Sequence, residues 1–321
     1  MRYRKRVVCA CFAVLINNVH AKDSTPLPEK IRTFAWVYSI EPPFRVRGRG
    51  FKWDHEIQVA LPATYTTEKK AYPTLWVTDG LINFSLAVET LEQWTTDLPE
   101  MIIVGVGTPA DAYPEHQERR EYEFTPKKEI GGGFGGIGAD FGRFAEKPKF
   151  GTGGAPKFLD FLVDELRTKL ESKYRMSDSH TIFGSSGGGY FCTYALLVRP
   201  RSFDKYVCLS PNLYGSDYEL FRIEQKYSEV NKDLPAAVYF AAGENEILQG
   251  GLPSALGIVS SMSRMAELLK MRAYPSLRLY VHIFPDEEHT TYTSSGLAHG
   301  LLALWGKNDR NGGIAKENLH Q

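Results

Sequence analysis

Hydrophobic positions along the chain fall into short runs rich in β-branched and aromatic residues, and from about residue 74 onward helical segments separate these runs. The first two runs flank a Gly- and Arg-rich stretch, which predicts an antiparallel start to a sheet. The later alternation is typical of a mainly parallel sheet with helices on both faces, so the sequence predicts an α/β fold. The predicted strands are 33–40, 55–62, 74–78, 101–106, 180–183, 205–209, 236–242 and 277–284.

Three segments have the spacing of helices. Apolar residues recur at every fourth position from Phe158 to Tyr174, behind a proline that suits a first helical turn, and they predict an amphipathic helix over 156–174. A second apolar stripe over 258–269 predicts a helix whose Met and Leu side chains join the core rather than a ligand groove. Residues 294–305 predict the final helix.

The amino-terminal segment differs from the rest of the chain. Four basic residues precede an apolar run over 7–16, and small residues at the end of 19–21 offer a cleavage site, so residues 1–21 are interpreted as a signal peptide. A membrane anchor is the alternative, but about ten apolar residues fall short of the roughly 20 that a spanning helix needs. We therefore expect a periplasmic or extracellular mature protein, without stable membrane insertion.

The remaining chain divides into a polar lead at 22–32, one α/β domain at 33–307 and a polar tail at 308–321. The domain contains a loop-rich, Gly-rich insertion at 108–154, which is either a substrate-covering loop or a surface loop. Phosphate binding is not indicated, because no Gly-Lys-Ser/Thr sequence follows these glycines.

Charge and cysteine content narrow the function further. The whole chain carries 38 basic and 38 acidic residues, and removal of 1–21 leaves a net charge near −4, which argues against a nucleic-acid partner. The same removal leaves two cysteines, Cys192 and Cys208, each in an apolar stretch, and two buried thiols are preferred to a single bridge. The sequence holds no CxxC or His/Cys cluster, so no metal is expected.

Ser186 is the predicted nucleophile. It is the central residue of Gly184-Ser-Ser-Gly-Gly188, which follows a predicted strand and precedes a helical stretch. At such a sharp strand-to-helix turn, the positions two before and two after the nucleophile must lack side chains. Ser185 fails this requirement because Phe183 would take one of those positions.

A base and an acid are needed to activate a serine hydroxyl, and after this type of turn they follow in the order acid, histidine. His289 is the predicted base, because it alone of the later histidines lies in the loop directly after the last strand. The acid is expected after strand 236–242, where Glu246 is preferred and Glu244 is the alternative.

An oxyanion formed during the reaction would need at least two N–H donors. The backbone of Gly187 is expected to supply one, and the turn after strand 74–78 the other, from Gly80 or Leu81, which the sequence does not separate. Asp79 is expected to cap the following helix or to brace the turn.

With these residues in place, the chain resembles the serine esterase family of α/β-hydrolases that includes siderophore (enterobactin-type) esterases and S-formylglutathione hydrolases. The resemblance extends over roughly residues 45 to 305. It rests on 75–80, 101–107, 119–126, 184–188, 203–211, 243–246 and His289.

The resemblance implies hydrolysis of a small-molecule ester through an acyl-enzyme, without a metal or organic cofactor. It also raises Arg119 and Arg120 as contacts for an anionic substrate, with surface arginines as the alternative. Ser185 stands where the family often has histidine. Because of the Gly-rich insertion, the resemblance does not specify the substrate. An acyltransferase and a non-catalytic binding protein of the same fold are the competing hypotheses.

Overall fold

The computed structural model describes residues 38–94, 96–127, 149–248 and 257–306. Nine strands within these residues form one sheet, in the spatial order β1-β3-β5-β4-β6-β7-β8-β9, with β2 also paired to β3. The strands are β1 (Tyr38–Ile40), β2 (Phe44–Val46), β3 (His55–Pro62), β4 (Tyr72–Thr78), β5 (Ile102–Gly107), β6 (Met176–Ser185), β7 (Lys205–Leu209), β8 (Ala237–Gly243) and β9 (Arg278–Phe284).

The sheet is antiparallel at its amino-terminal side and parallel elsewhere. Strand β3 runs antiparallel to β1, β2 and β5. All pairings from β5 through β4, β6, β7 and β8 to β9 are parallel. The predicted α/β fold is confirmed, and strand β2 is an addition to it. Because the parallel strands share one direction, their carboxyl ends meet along one edge of the sheet.

Helices cover both faces of the sheet. They are α1 (Gly80–Gln93), α2 (His116–Phe124), α3 (Ala155–Asp160, a π-helical stretch Phe161–Leu166, and Arg167–Glu171), α4 (Gly187–Val198), α5 (Gly215–Val230), α6 (Asn245–Leu248), α7 (Ile258–Met271) and α8 (Thr293–Trp305), with 3-10 turns at Ala63–Thr66 and Ala110–Glu115. Apolar residues of α1 and α8 share one core cluster, and those of α2 to α5 and α7 share the other. None of these helices is both long and apolar enough to cross a membrane, within the residues described.

Alternating side chains explain why the central strands are apolar throughout. In β6, Ile182 belongs to one core cluster and its neighbour Phe183 to the other, and in β4 Trp76 and Val77 divide in the same way. Successive side chains of a strand point to opposite faces, so a strand covered by helices on both sides needs apolar residues at every position.

Two expectations about secondary structure change. The predicted helix 156–174 is α3, which ends three residues earlier and contains the π-helical stretch. The insertion 108–154 is not simply loop, because it contains helix α2. Its glycines at 131–138 lie outside the described residues, as do the interpreted signal peptide, the lead 22–32 and the tail 308–321.

Cys192 and Cys208 form a disulfide, so the preference for two separate thiols is wrong. Both side chains are fully buried, as expected, but they face each other from α4 and β7, with their Cα atoms 5.7 Å apart. The apolar stretch around each cysteine predicts burial. It does not predict which side of the helix meets which side of the strand.

Candidate active site

Ser186 lies at the bend between β6 and α4, with φ 57° and ψ −120°. A non-glycine residue rarely adopts positive φ, so the turn is strained, and it lifts the side chain above the carboxyl edge of the sheet. The Ser186 amide donates to the Leu209 carbonyl (2.9 Å), and its own carbonyl accepts from the Tyr190 amide (3.0 Å). These bonds fix the bend to β7 on one side and to α4 on the other.

The glycines around Ser186 are required by close backbone approach. A Cβ atom at Gly184 would lie 2.1 Å from the Gly188 carbonyl oxygen, and one at Gly188 would lie 2.5 Å from Thr78 Oγ1. A Cβ atom at Gly189 would lie 2.3 Å from the Leu209 carbonyl oxygen. The spacing of glycines in the sequence therefore has the steric cause expected of it, and Gly189 is a third such position.

His289 approaches Ser186 from the loop after β9. Its Nε2 atom lies 2.9 Å from Ser186 Oγ, and its Nδ1 atom lies 3.1 Å from Glu246 Oε2. An ionised carboxylate can only accept a hydrogen bond, so Nδ1 carries the proton and Nε2 is left to accept one from the serine hydroxyl. This is the tautomer that a general base needs.

Glu246 holds the other side of the imidazole. Its side chain is fully buried, and its Oε1 atom accepts from the Gly243 amide (2.8 Å) and from the Ser210 hydroxyl (2.7 Å). The alternative acid, Glu244, instead accepts from the Asp286 amide (3.1 Å). Of the two candidate acids, Glu246 is the one that contacts His289.

The histidine loop is attached to the acid turn by backbone contacts. The Glu244 amide donates to the Phe284 carbonyl (2.9 Å) and the Asn245 amide to the Glu287 carbonyl (3.0 Å). A Cβ atom at Gly243 would lie 2.3 Å from the same Glu287 oxygen, so the loop can approach only because this residue is glycine. The acid and the base are therefore held in register before any ligand binds.

Two helix ends meet beside Ser186. Gly187 begins α4 and Gly80 begins α1, and the first N–H groups of a helix have no intrahelical acceptor. Thr78, just before α1, donates from Oγ1 to the Phe183 carbonyl (3.2 Å) and so ties the two turns together. The predicted oxyanion donors Gly187, Gly80 and Leu81 thus lie on adjoining turns.

Gly107 is a site residue that the sequence analysis did not single out. A Cβ atom there would lie 2.8 Å from the Gly80 amide nitrogen and 3.0 Å from that of Leu81. Any side chain at the end of β5 would therefore crowd both amide groups. The short Gly-Val-Gly run at the end of this strand is the only signal in the sequence that could have indicated it.

Asp79 lies in the turn that precedes Gly80, and its side chain makes no cap to α1. Its carboxylate receives both arms of the Arg120 guanidinium, from Nε (2.6 Å) and from an Nη atom (3.0 Å). Arg119 points elsewhere, to the Glu115 carboxylate (2.7 Å) and over the Trp53 ring. Of the two arginines, Arg120 is therefore the one adjacent to the turn that precedes Gly80.

Burial changes the protonation behaviour of two groups near this edge. The pKa of His116 is lowered because burial disfavours its charged form. The pKa of Tyr292 is raised well above its usual value by burial and by the nearby Glu246 carboxylate. Among the described residues, no group of three or more His, Cys, Asp or Glu side chains could hold a metal ion.

Comparison with known proteins identifies the family. Residues 48–312 match the family model described as "Putative esterase". The match covers most of the chain, and the chain belongs to this esterase family.

Two curated esterases are similar to part of this chain. A siderophore enterobactin esterase of Emericella nidulans is 28% identical over 184 residues, which are 54% of this chain and 58% of that protein. The ferri-bacillibactin esterase BesA of Bacillus subtilis is 31% identical over 97 residues, 29% of this chain and 34% of BesA. The matched regions thus span less than two thirds of these relatives.

Solved structures share the fold. An IroE-like serine hydrolase from Shewanella oneidensis has a TM-score of 0.69 at 24% identity, over 84% of this chain and 80% of that one. The siderophore hydrolase EstA from Aspergillus nidulans has a TM-score of 0.71 at 20% identity, over 89% and 98% of the two chains. The fold of this chain is therefore that of the α/β-hydrolases.

Proposed function

We propose that this protein is a serine esterase that hydrolyses a carboxylic ester of the siderophore type through an acyl-enzyme. The observation that carries the proposal is the unbroken hydrogen-bonded series from Ser186 through His289 to the buried Glu246 carboxylate. Family membership supports ester hydrolysis, and the names of the relatives support a siderophore-type substrate.

Each member of the series has one role in the proposed reaction. His289 Nε2 takes the hydroxyl proton as Ser186 Oγ attacks the ester carbonyl carbon, and the same proton then passes to the departing alcohol. Water next attacks the acyl carbon of the acyl-enzyme and gives a proton to His289. That proton passes to Ser186 Oγ as the bond between the acyl carbon and Oγ breaks, so the acid product leaves and the serine hydroxyl is restored. Glu246 stabilises the imidazolium that forms in both halves.

Developing negative charge on the carbonyl oxygen would be met by backbone N–H groups. We propose the Gly187 amide, with that of Gly80 or Leu81, since the dipoles of α1 and α4 add to these hydrogen bonds. Binding of an anionic substrate by Arg119 or Arg120 stays a prediction. Each guanidinium already has a carboxylate partner in the protein, so an anion would have to share it.

The experiment is hydrolysis of p-nitrophenyl esters and of siderophore esters by the wild type and by Ser186→Ala. We expect at least ~10³-fold loss of kcat in the variant, the scale for removal of a catalytic nucleophile. Ser185→Ala is the matched control, because the adjacent hydroxyl does not contact His289, and it should retain activity. Full activity of Ser186→Ala would refute the proposal, and transfer of the acyl group to added alcohol in place of water would make the protein an acyltransferase.

We also propose that the chain folds in an oxidising compartment, periplasmic or extracellular. The Cys192–Cys208 disulfide and the basic and apolar pattern of residues 1–21 support this location, since disulfides persist in such compartments. Amino-terminal sequencing of the exported protein is the test. A mature chain that begins at Lys22 is expected, and an intact Met1 in a cytoplasmic fraction would contradict it.

A further inference from the structure

Two hydroxyl groups lie behind the Glu246 carboxylate, on the side away from His289. Only Oε2 faces the imidazole, and the other oxygen, Oε1, accepts from the Ser210 hydroxyl (2.7 Å) as well as from the Gly243 amide. Burying a carboxylate is costly unless hydrogen bonds satisfy its oxygens, and each added bond also restricts the orientation of its plane. Ser210 therefore supplies a side-chain bond that can fix the plane of the carboxylate.

Ser210 occupies a strained position between the nucleophile and the acid. It follows β7 directly with φ 44°, although it precedes a proline, which favours extended backbone. Its amide donates to the Ala241 carbonyl (2.7 Å), and its neighbour Leu209 accepts from the Ser186 amide (2.9 Å). Non-glycine residues keep such backbone strain mainly where the surrounding structure requires it, often at functional sites.

Tyr292 completes the arrangement, three residues after His289. Its hydroxyl lies 2.5 Å from Ser210 Oγ and 3.0 Å from the Ala241 carbonyl oxygen, and the whole side chain is buried. Because the Glu246 carboxylate can only accept, the Ser210 proton points to Glu246. The single Tyr292 proton is then shared between two acceptors, the Ser210 oxygen and the Ala241 carbonyl oxygen. Tyr292 stays a donor because its pKa is raised well above the usual value.

We infer that Ser210 and Tyr292 are positioning residues for ester hydrolysis: the series Tyr292 to Ser210 to Glu246 holds Oε2 against His289 Nδ1 without touching the substrate. The inference rests on the proposed function, since it assigns these hydroxyls to the same reaction. It predicts that their removal lowers kcat and leaves KM unchanged, because only the orientation of the general base is affected.

The test is a mutant cycle on p-nitrophenyl ester hydrolysis. Ser210→Ala and Tyr292→Phe should each lower kcat about 10- to 100-fold, the range for loss of a hydrogen bond to a charged group or of the residue that orients it. In a Glu246→Ala background, Ser210→Ala should lower kcat no further, because its target is gone. A purely structural hydroxyl would lower activity in both backgrounds.

Tyr239→Phe is the matched control for Tyr292→Phe. Tyr239 lies in β8, and its buried hydroxyl has no hydrogen-bond partner among the described residues. This control should keep wild-type kcat. Ser210→Gly removes the hydroxyl and also relieves the backbone strain, so it should lose as much kcat as Ser210→Ala but unfold at a higher temperature than Ser210→Ala.

The outcomes separate this inference from the proposed function. A wild type that hydrolyses no ester and reacts with no fluorophosphonate overturns both. An active wild type with unchanged kcat in Ser210→Ala overturns the inference alone. Additive loss in the Glu246→Ala background, or a rise in KM without a fall in kcat, overturns it as well.

Discussion

Replacing Glu246 with glutamine should nearly abolish turnover while leaving the protein folded. The amide has almost the same volume as the carboxylate, so no cavity forms. Its oxygen can still accept from Gly243 and Ser210, which turns the NH₂ group toward His289 Nδ1. That nitrogen must then accept, its proton moves to Nε2, and the ring can no longer take a proton from Ser186. A wrong tautomer of this kind costs about 10⁴-fold in kcat, or about 5 kcal/mol.

The assay is kcat and KM for a p-nitrophenyl ester, with thermal unfolding to verify the fold. Glu244→Gln is the matched control, because Glu244 contacts the Asp286 amide rather than His289, and we expect a change of no more than about threefold, as for a surface polar group. If Glu246→Gln kept more than a tenth of wild-type kcat while Glu244→Gln lost nearly all of its kcat, the assignment of Glu246 as the acid would be refuted.

Three further changes test how the site is supported. Replacing Cys192 and Cys208 with alanine should lower the free energy of unfolding by about 3 kcal/mol, the value for a disulfide that closes a loop of this length. A denaturant titration measures this loss, and an unchanged midpoint would contradict the prediction. Arg120→Gln should lower the free energy of unfolding by about 3 kcal/mol in the same assay, because it leaves the buried Asp79 carboxylate with His116, 3.8 Å away, as its only nearby basic group among the described residues. Adding Asp79→Asn should return part of that loss, and strictly additive losses would argue against the Arg120–Asp79 pair. Burial lowers the pKa of His180 to about 4, so the unfolded chain binds a proton more readily than the folded one, and stability should fall by about 2 kcal/mol as pH drops from 7 to 4.5. Over the same pH range, the free energy of unfolding of His180→Gln should fall by about 2 kcal/mol less than that of the wild type. An equal fall in the two proteins would rule out His180 as the cause.

Local rules were sufficient for the parts of the site that depend on a few adjacent residues. Gly184 is required by a contact within the turn itself, with the Gly188 carbonyl oxygen, and the spacing of these two glycines is therefore visible in the sequence. The parallel strands could be predicted because burial on both faces makes every position apolar, as in Ile182 and Phe183. Chain order then directed attention to His289, since of the histidines after Ser186 only that one lies in the loop directly after the last strand.

Contacts between distant residues could not be predicted in this way. Ser210 and Tyr292 are 82 residues apart, and neither lies in a pattern that marks a polar partner. The disulfide depends on how α4 rotates over β7, which the apolar surroundings of each cysteine do not specify. Helix α2 was missed for another reason, because its buried positions include Arg119 and Glu123 and so give no apolar period.

Covalent labelling by a fluorophosphonate tests the central claim most directly. Such a probe reacts with a serine hydroxyl only when a base activates it, so the full-length protein should gain the mass of a single adduct, and peptide mapping should assign it to Ser186. Ser186→Ala should gain none, and His289→Ala should react far more slowly. An adduct on another residue, or none while a known serine esterase is labelled in parallel, would contradict the account.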